Sequence, residues 1–218
     1  MEKRRLNLFE KLYKELKEKH GKPKGQWKLW CKRKKTEKER EEVIIGAILA
    51  QRTNWKNVEL AIKRLKKEKI NSLKKIVQLK PRKLASLIKP AGFYKVKSRR
   101  LFELAKFIIK NYKKTLKMKM VNLEELRKRL LNLKGVGPET CDSILLYALD
   151  KPIFVIDEYT RRLVKKKKLV KNFSYDFLQK IFENNLKKDF KLYQDFHALI
   201  VIDAKKSLRD NKLDKGRF

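Results

Sequence analysis

Two short stretches carry residue types whose spacing could do chemistry. The first is Leu131-Asn132-Leu133-Lys134-Gly135-Val136-Gly137-Pro138-Glu139-Thr140. A helix ends near Leu131, a Gly-Val-Gly turn follows, and Pro138 stands where the first position of the next helix would be. Glycines allow a tight turn with positive φ and let the backbone come close to a ligand. The free N–H groups of the following helix then point out of the turn, where a phosphate can bind. Such a helix-hairpin-helix grips a nucleic-acid strand by its backbone without reading sequence. An ordinary corner between two helices, with a Gly cap and a Pro start, fits the same residues. The second stretch holds Asp157, 18 residues after Glu139, behind the apolar Ile153-Phe154-Val155-Ile156 and ahead of Glu158-Tyr159-Thr160-Arg161-Arg162. By type and place alone, Asp157 is the N-cap of a helix.

The charge balance favours the phosphate reading. The chain of 218 residues has 61 Lys and Arg against 25 Asp and Glu, a net charge of +36. Thermal adaptation enriches Lys and Glu together and would not leave so lopsided a balance, whereas a polyanionic partner explains it. The excess is +8 over residues 1–42, +19 over 43–150 and +9 over 151–218, so it is not confined to a basic tail. With 42% apolar residues the chain can bury a core and is too hydrophobic to be disordered. Cys31 and Cys141 are too few for a disulfide framework or a four-cysteine metal site. His20 and His197 lie far apart with no ligand spacing. No apolar run reaches the roughly 18–20 residues of a membrane span, and Met1 is followed by Glu-Lys-Arg-Arg, so the expectation is a soluble cytoplasmic protein with no membrane partner, associated with the nucleoid.

The elements that must position these stretches read as helices throughout. Leu6, Phe9, Leu12, Tyr13 and Leu16 stand at helical spacing, and His20-Gly21-Lys22-Pro23 breaks that helix. Residues 26–40 are the least readable. The run Val43–Ala50 predicts a core helix, and helical periods follow at about 55–67, 71–78, 81–89, 94–112, 123–132, 138–149, 157–166, 174–186 and 190–209. No alternating β pattern appears beyond Pro152–Ile156, which reads as a buried connector. The fold class is all-α, without internal repeats.

The hairpin, together with Val155-Ile156-Asp157-Glu158-Tyr159-Thr160-Arg161-Arg162, resembles the signature of the helix-hairpin-helix DNA glycosylases, the superfamily of endonuclease III, adenine glycosylases and alkylbase glycosylases. The resemblance covers residues 43–165 well and the two ends loosely. It implies two helical domains: a six-helix barrel with the hairpin at 43–150, and a second domain of 1–42 plus 151–218 carrying Asp157. The active-site cleft would lie between them. It also implies that Asp157 is the catalytic carboxylate, stabilising an oxocarbenium-like sugar and helping water attack C1′ as the N-glycosidic bond breaks. Glu139 falls where members that also cleave the strand have a lysine. A carboxylate cannot form their Schiff base, so base excision with weak or no AP lyase activity is expected. Lys134, Gly135, Val136, Gly137 and Thr140 of the hairpin are then DNA contacts. The main-chain carbonyls of Leu131, Leu133 and Val136 match those that hold a monovalent sodium or potassium ion in relatives.

The cysteines exclude the iron–sulfur cluster of endonuclease III, because residues 142–218 contain none. Gly-Val-Gly-Pro-Glu-Thr and Phe196-His197-Ala198-Leu199-Ile200-Val201 look most like the cluster-free 3-methyladenine DNA glycosylases. That branch releases N-alkylated purines, whose cationic rings favour aromatic faces. Trp27 and Trp30 are candidates for the base pocket, although the branch has an adjacent Trp-Trp-Pro. Lys205 is a third candidate, or a lysine on a solvated face. Gln51 matches a loop glutamine that fills the gap left by a flipped nucleotide, and Arg52 is a candidate phosphate contact. Phe93 and Tyr94 read as a structural turn. The expectation is a monomeric, monofunctional DNA glycosylase acting on duplex DNA with damaged bases, without a required cofactor. The alternatives are a glycosylase for pyrimidines or for thymine or uracil opposite guanine, and a helix-hairpin-helix DNA-binding protein without chemistry.

Overall fold

A computed structural model describes residues 6–215, with side chains through residue 208. Among the described residues there are thirteen α-helices and no strand, and no helix is long and apolar enough to cross a membrane. The chain divides into two compact units. One holds the residues up to Cys31 and those from Pro152 on; the other is the continuous stretch Lys32–Lys151. The division falls eleven residues before the expected boundary at 42/43, because Lys35, Glu37 and Arg40 make their contacts within the continuous unit. The extreme ends of the expected second domain lie outside the described residues.

In the discontinuous unit, α1 (Leu8–His20) starts at a capping box. The Asn7 side chain accepts from the amides of Phe9 and Glu10, both at 3.0 Å, and the Glu10 carboxylate accepts from the Asn7 amide at 2.9 Å. It stops at Gly21, whose φ of 67° a side chain would resist. A single turn, α2 (Trp27–Trp30), lies in the stretch that periodicity could not read. The remaining helices are α11 (Glu158–Lys166), α12 (Tyr175–Asn185) and α13 (Phe190–Lys215). The connector ahead of α11 threads through their core. Phe154 stacks on Phe182 with ring centroids 4.3 Å apart, and meets Tyr193 and Phe196 edge-on at 5.5 and 5.8 Å. Its backbone has no ladder to join, so side chains satisfy it: the Phe154 amide donates to Glu183 at 2.8 Å, and Gln179 donates to the Phe154 carbonyl at 2.7 Å. This fixed connector delivers Asp157 to the start of α11.

The continuous unit comprises α3 (Glu37–Leu49), α4 (Trp55–Lys67), α5 (Leu73–Val77), α6 (Pro81–Leu87), α7 (Tyr94–Tyr112), α8 (Thr115–Met120), α9 (Leu123–Leu131) and α10 (Pro138–Ser143). Helix α3 begins well before the apolar run. Thr36 and Glu39 form a capping box, and the polar first turns of α3 then lead into the core run Val43–Leu49. Helix α8 had no periodic signature, since in Thr-Leu-Lys-Met-Lys-Met only Thr115 and Met118 are buried. The helix expected over 138–149 is α10 followed by one wider π turn, Ile144–Ala148, closed by the Leu149 amide on the Ile144 carbonyl at 3.2 Å.

One ion cluster closes this unit. Arg40 donates to the Asp150 carboxylate at 2.8 Å, Lys119 at 2.9 Å, and Lys35 stands 3.7 Å away; Arg40 also reaches the Ala148 carbonyl. Burial alone would raise the Asp150 pKa, but the bonds from Lys119 and Arg40 and the charges of Arg40 and Lys35 outweigh it and hold the carboxyl below its ordinary value. The cluster therefore stabilises fully above the ordinary carboxylate range and loses its contribution as pH falls through the lowered value. Replacing Asp150 with Ala takes a buried carboxylate away from Arg40, Lys35 and Lys119. The expected cost is about 3–5 kcal/mol, read as a shift of the urea midpoint at neutral pH that shrinks in acid.

Candidate active site and hairpin

Asp157 is the N-cap of α11, with 9% of its surface exposed. One carboxylate oxygen accepts from the Thr160 amide at 2.7 Å and from the Thr160 hydroxyl at 2.9 Å. The other lies 3.4 Å from His197 Nε2, an ion pair whenever the imidazole is protonated. Burial pushes the Asp157 pKa up; the charge and hydrogen bond of His197, then the two bonds from Thr160, bring it below its ordinary value. The acid is thus ionised and fixed in direction.

Trp27 stands beside this pair. Its ring meets His197 edge-on at 5.8 Å and Trp30 edge-on at 5.7 Å. Both tryptophans are buried. Lys205 is half-buried, with its ammonium 5.7 Å from the centre of the Tyr159 ring. Of the residues named from sequence, this unit gathers Asp157 and Trp27 around His197, with Trp30 behind. His197 was set aside because it has no metal-ligand spacing, and no pattern in the chain announces its pairing with a residue forty positions earlier.

The hairpin is a separate construction in the continuous unit. Gly135 has φ 90°, and a Cβ there would run into the side chain of Arg100. Gly137 is extended, a conformation open to any residue, and acts as N-cap of α10 with Pro138 behind it. So only the first glycine is demanded by the backbone. Val136 is buried, while Lys134 and Glu139 are exposed. The two helices are held together by Arg127 on α9, which forks onto Asp142 of α10 at 2.8 and 3.1 Å.

Gln51 braces the turn. Its amide nitrogen donates to the Gly135 carbonyl and to the Thr140 hydroxyl, both at 3.0 Å, and its oxygen accepts from Arg100 at 2.7 Å. The side chain expected to fill a gap in DNA is therefore occupied in holding the hairpin. Arg52 beside it is exposed in a left-handed conformation, φ 50°. The loop is anchored by Lys97, 1% exposed, whose ammonium donates to the Leu49 carbonyl at 2.8 Å and to the Thr53 hydroxyl and Ala91 carbonyl, both at 2.7 Å. Burial, helped by the charge of Arg100, lowers the Lys97 pKa to about 8. Arg100 and Lys97 carry no sequence signal, because in so basic a chain a structural lysine looks like any other.

The hairpin carbonyls expected to hold a monovalent cation keep acceptor capacity free. Leu133 accepts from the Val136 amide at 3.0 Å, which leaves one lone pair, and the Leu131 and Val136 carbonyls take no hydrogen bond among the described residues. Neutral carbonyl oxygens suit a singly charged ion.

Comparison with known proteins bears on both constructions. Residues 45–188, which include the hairpin, Gln51 and Asp157, match the HhH-GPD superfamily of base excision DNA repair proteins. The chain belongs to that superfamily. Within it, a Methanocaldococcus jannaschii protein named provisionally as a DNA repair glycosylase is 47% identical over 177 residues, 80% of each chain. An endonuclease III of Thermotoga maritima is 32% identical over 121 residues, 56% of this chain and 53% of that protein. The crystal structure of an H. pylori 3-methyladenine DNA glycosylase bound to 1,N6-ethenoadenine superposes with a TM-score of 0.75 at 31% identity, covering 93% of this chain and 99% of that one.

For this HhH-GPD protein the brace makes Gly135 the sensitive point. Gly135→Ala puts a Cβ into Arg100 at a φ that alanine resists, and should cost more than about 1 kcal/mol of stability. It should also weaken duplex binding measured by fluorescence anisotropy, whereas Gly137→Ala should leave stability nearly unchanged.

Proposed function

We propose that the protein is a monofunctional DNA glycosylase that releases N-alkylated purines, 3-methyladenine among them, from duplex DNA. The observation that carries this reading is the capped carboxylate of Asp157 beside His197. With one oxygen occupied by Thr160, the carboxylate can turn little, and its ionised state persists into acid. A fixed negative charge is what a sugar needs as its bond to the base stretches and positive charge grows on C1′. The electron pair of the C1′–N bond leaves with the base, which for an N-alkylated purine neutralises a cationic ring. Water then adds its oxygen to C1′ and gives up a proton, leaving an abasic sugar and a free base. Since the leaving base needs no proton, a single carboxylate suffices for the protein's part of the chemistry.

Glu139 supports excision without strand cleavage, because a carboxylate at the start of α10 cannot form an imine with C1′. The relation to the H. pylori enzyme supports the purine class. Lys134, Gly135, Val136, Gly137 and Thr140 form the hairpin that holds the strand by its backbone, and a monovalent ion on the carbonyls of Leu131, Leu133 and Val136 would add positive charge toward a phosphate. Trp27 and Trp30 support the site from behind His197, and Lys205 contributes charge near Tyr159.

A flipped nucleotide leaves a gap that some side chain must fill. Phe93 suits that role, beside the Gln51 that the resemblance implies. Far from being packed in a structural turn, its ring is 65% exposed, on a left-handed backbone of φ 46° at the N-cap of α7. Strained, exposed apolar residues are kept where a function holds them. Phe93→Ala should lower single-turnover base release at least tenfold while the protein melts at the same temperature; unaltered release would remove Phe93 from the mechanism.

The decisive experiment is a panel of lesion duplexes scored for free base, for nicking and for borohydride-trapped adduct. The wild type should release alkylated purines without trapped adduct. Asp157→Asn should lose roughly two to four orders of magnitude in rate and still bind duplex. Release of thymine or uracil opposite guanine, but no alkylated purine, would overturn the substrate class. Absence of any base release would leave a DNA-binding protein.

A further inference from the structure

Helix α7 carries a second feature, on the side turned away from the hairpin. A groove of about 510 Å³ runs between α6 and the first turns of α7, lined among others by Arg82, Ser86, Lys89, Tyr94, Lys95 and Arg99. No carboxylate lines it. The four cations are exposed, and none of them makes an ion pair among the described residues. Arg99 spends its Nε on the Lys95 carbonyl at 3.3 Å, which leaves the outer nitrogens of the guanidinium to face the groove. Glu68, the nearest acid in the ion-pair pattern, is already held at 3.0 Å by Lys83, outside the lining. Glu103 follows Arg99 by one turn and does not bridge to it among the described residues.

Four like charges set around one concave surface repel one another, and nothing within the chain repays the cost. They are arranged for an anion with several charges in a row. The geometry of α7 identifies which. Lys95 and Arg99, four residues apart, share one face. Lys97 and Arg100 lie on the opposite face, where they anchor the Gln51 loop and brace the hairpin. The thickness of α7, about 10–12 Å with its side chains, thus stands between the groove and the residues that brace the hairpin. That is the scale of a DNA groove, about 6 Å across the minor and 12 Å across the major.

We propose that this groove is a second phosphate-binding surface, which holds the backbone of the strand complementary to the one gripped by the hairpin. The inference rests on the glycosylase reading for its ligand, duplex DNA, but not on any step of base release. It divides the labour of binding: the hairpin holds one strand by main chain, the groove holds the other by side-chain charge, and Phe93 stands at the start of α7 beside the groove.

The test is the fourfold variant Arg82→Gln, Lys89→Gln, Lys95→Gln, Arg99→Gln. It is made in the Asp157→Asn protein, so that no base is released during titration, and circular dichroism checks its fold. Affinity is measured across a salt series for a lesion duplex and for the lesion strand alone. The slope of log affinity against log salt on the duplex should become shallower by roughly 3 to 4, since each phosphate contact contributes about 0.9. The loss on the single strand should be much smaller. Neutral methylphosphonates on the complementary strand should reproduce the duplex loss in the parent protein, and a version with Lys89→Arg and Lys95→Arg should restore it. An unchanged duplex slope would overturn the proposal and leave the groove to another acidic partner. An equal loss on the single strand would also overturn it, by assigning the groove to the hairpin's own strand. A wild type that releases no base would sink the glycosylase reading while leaving these binding results to stand.

Discussion

The chain leaves its first unit at Cys31, builds a second unit of eight helices, and returns at Pro152. A unit inserted in this way must have its two ends held near each other, and the Asp150 carboxylate does so. Lys35 and Arg40 belong to the incoming end, Asp150 to the outgoing end, and Lys119 joins from α8. A buried carboxylate with one cation would repay its desolvation poorly; with three cations, two of them donating hydrogen bonds, and a covered position it becomes a firm closure. Three residues further on, the chain enters the aromatic core as Ile153–Ile156, and then reaches the N-cap of α11. The aim of Asp157 therefore depends on the Phe154 stack before it and on Thr160 after it.

The positive charge of the chain does more than one job. Arg40, Lys97, Arg100 and Arg127 are spent inside the continuous unit, on carbonyls, on a glutamine and on two carboxylates. These groups hold loops and turns at defined distances from one another, a use that needs directed donors more than net charge. The exposed remainder supplies attraction to a polyanion. Among it, the groove beside α7 is lined by four cations and no acid.

Much of this was legible in the residues. The order and limits of the long helices followed from apolar spacing together with Gly, Pro and capping residues, because such helices are amphipathic and their ends carry local signals. The hairpin was readable because Gly135 and Pro138 impose backbone conformations, and Asp157, by place an N-cap, was singled out by the family resemblance. Helix α8 escaped because its burial rests on two side chains. The early start of α3 escaped because its first turns are polar and only Thr36 and Glu39 mark it.

The sequence by itself determined the helical class, the hairpin, the excess of charge, the lack of cysteines for a cluster, and which carboxylate to examine. Tertiary structure alone decided what each side chain touches. It paired Asp157 with His197 across forty residues, bonded Gln51 to the hairpin turn, put Phe93 into solvent, and separated structural from surface lysines. The reason is physical: spacing along a chain encodes turns and helix faces, which are local, whereas the partner that a polar side chain finds depends on which distant segments the core brings together.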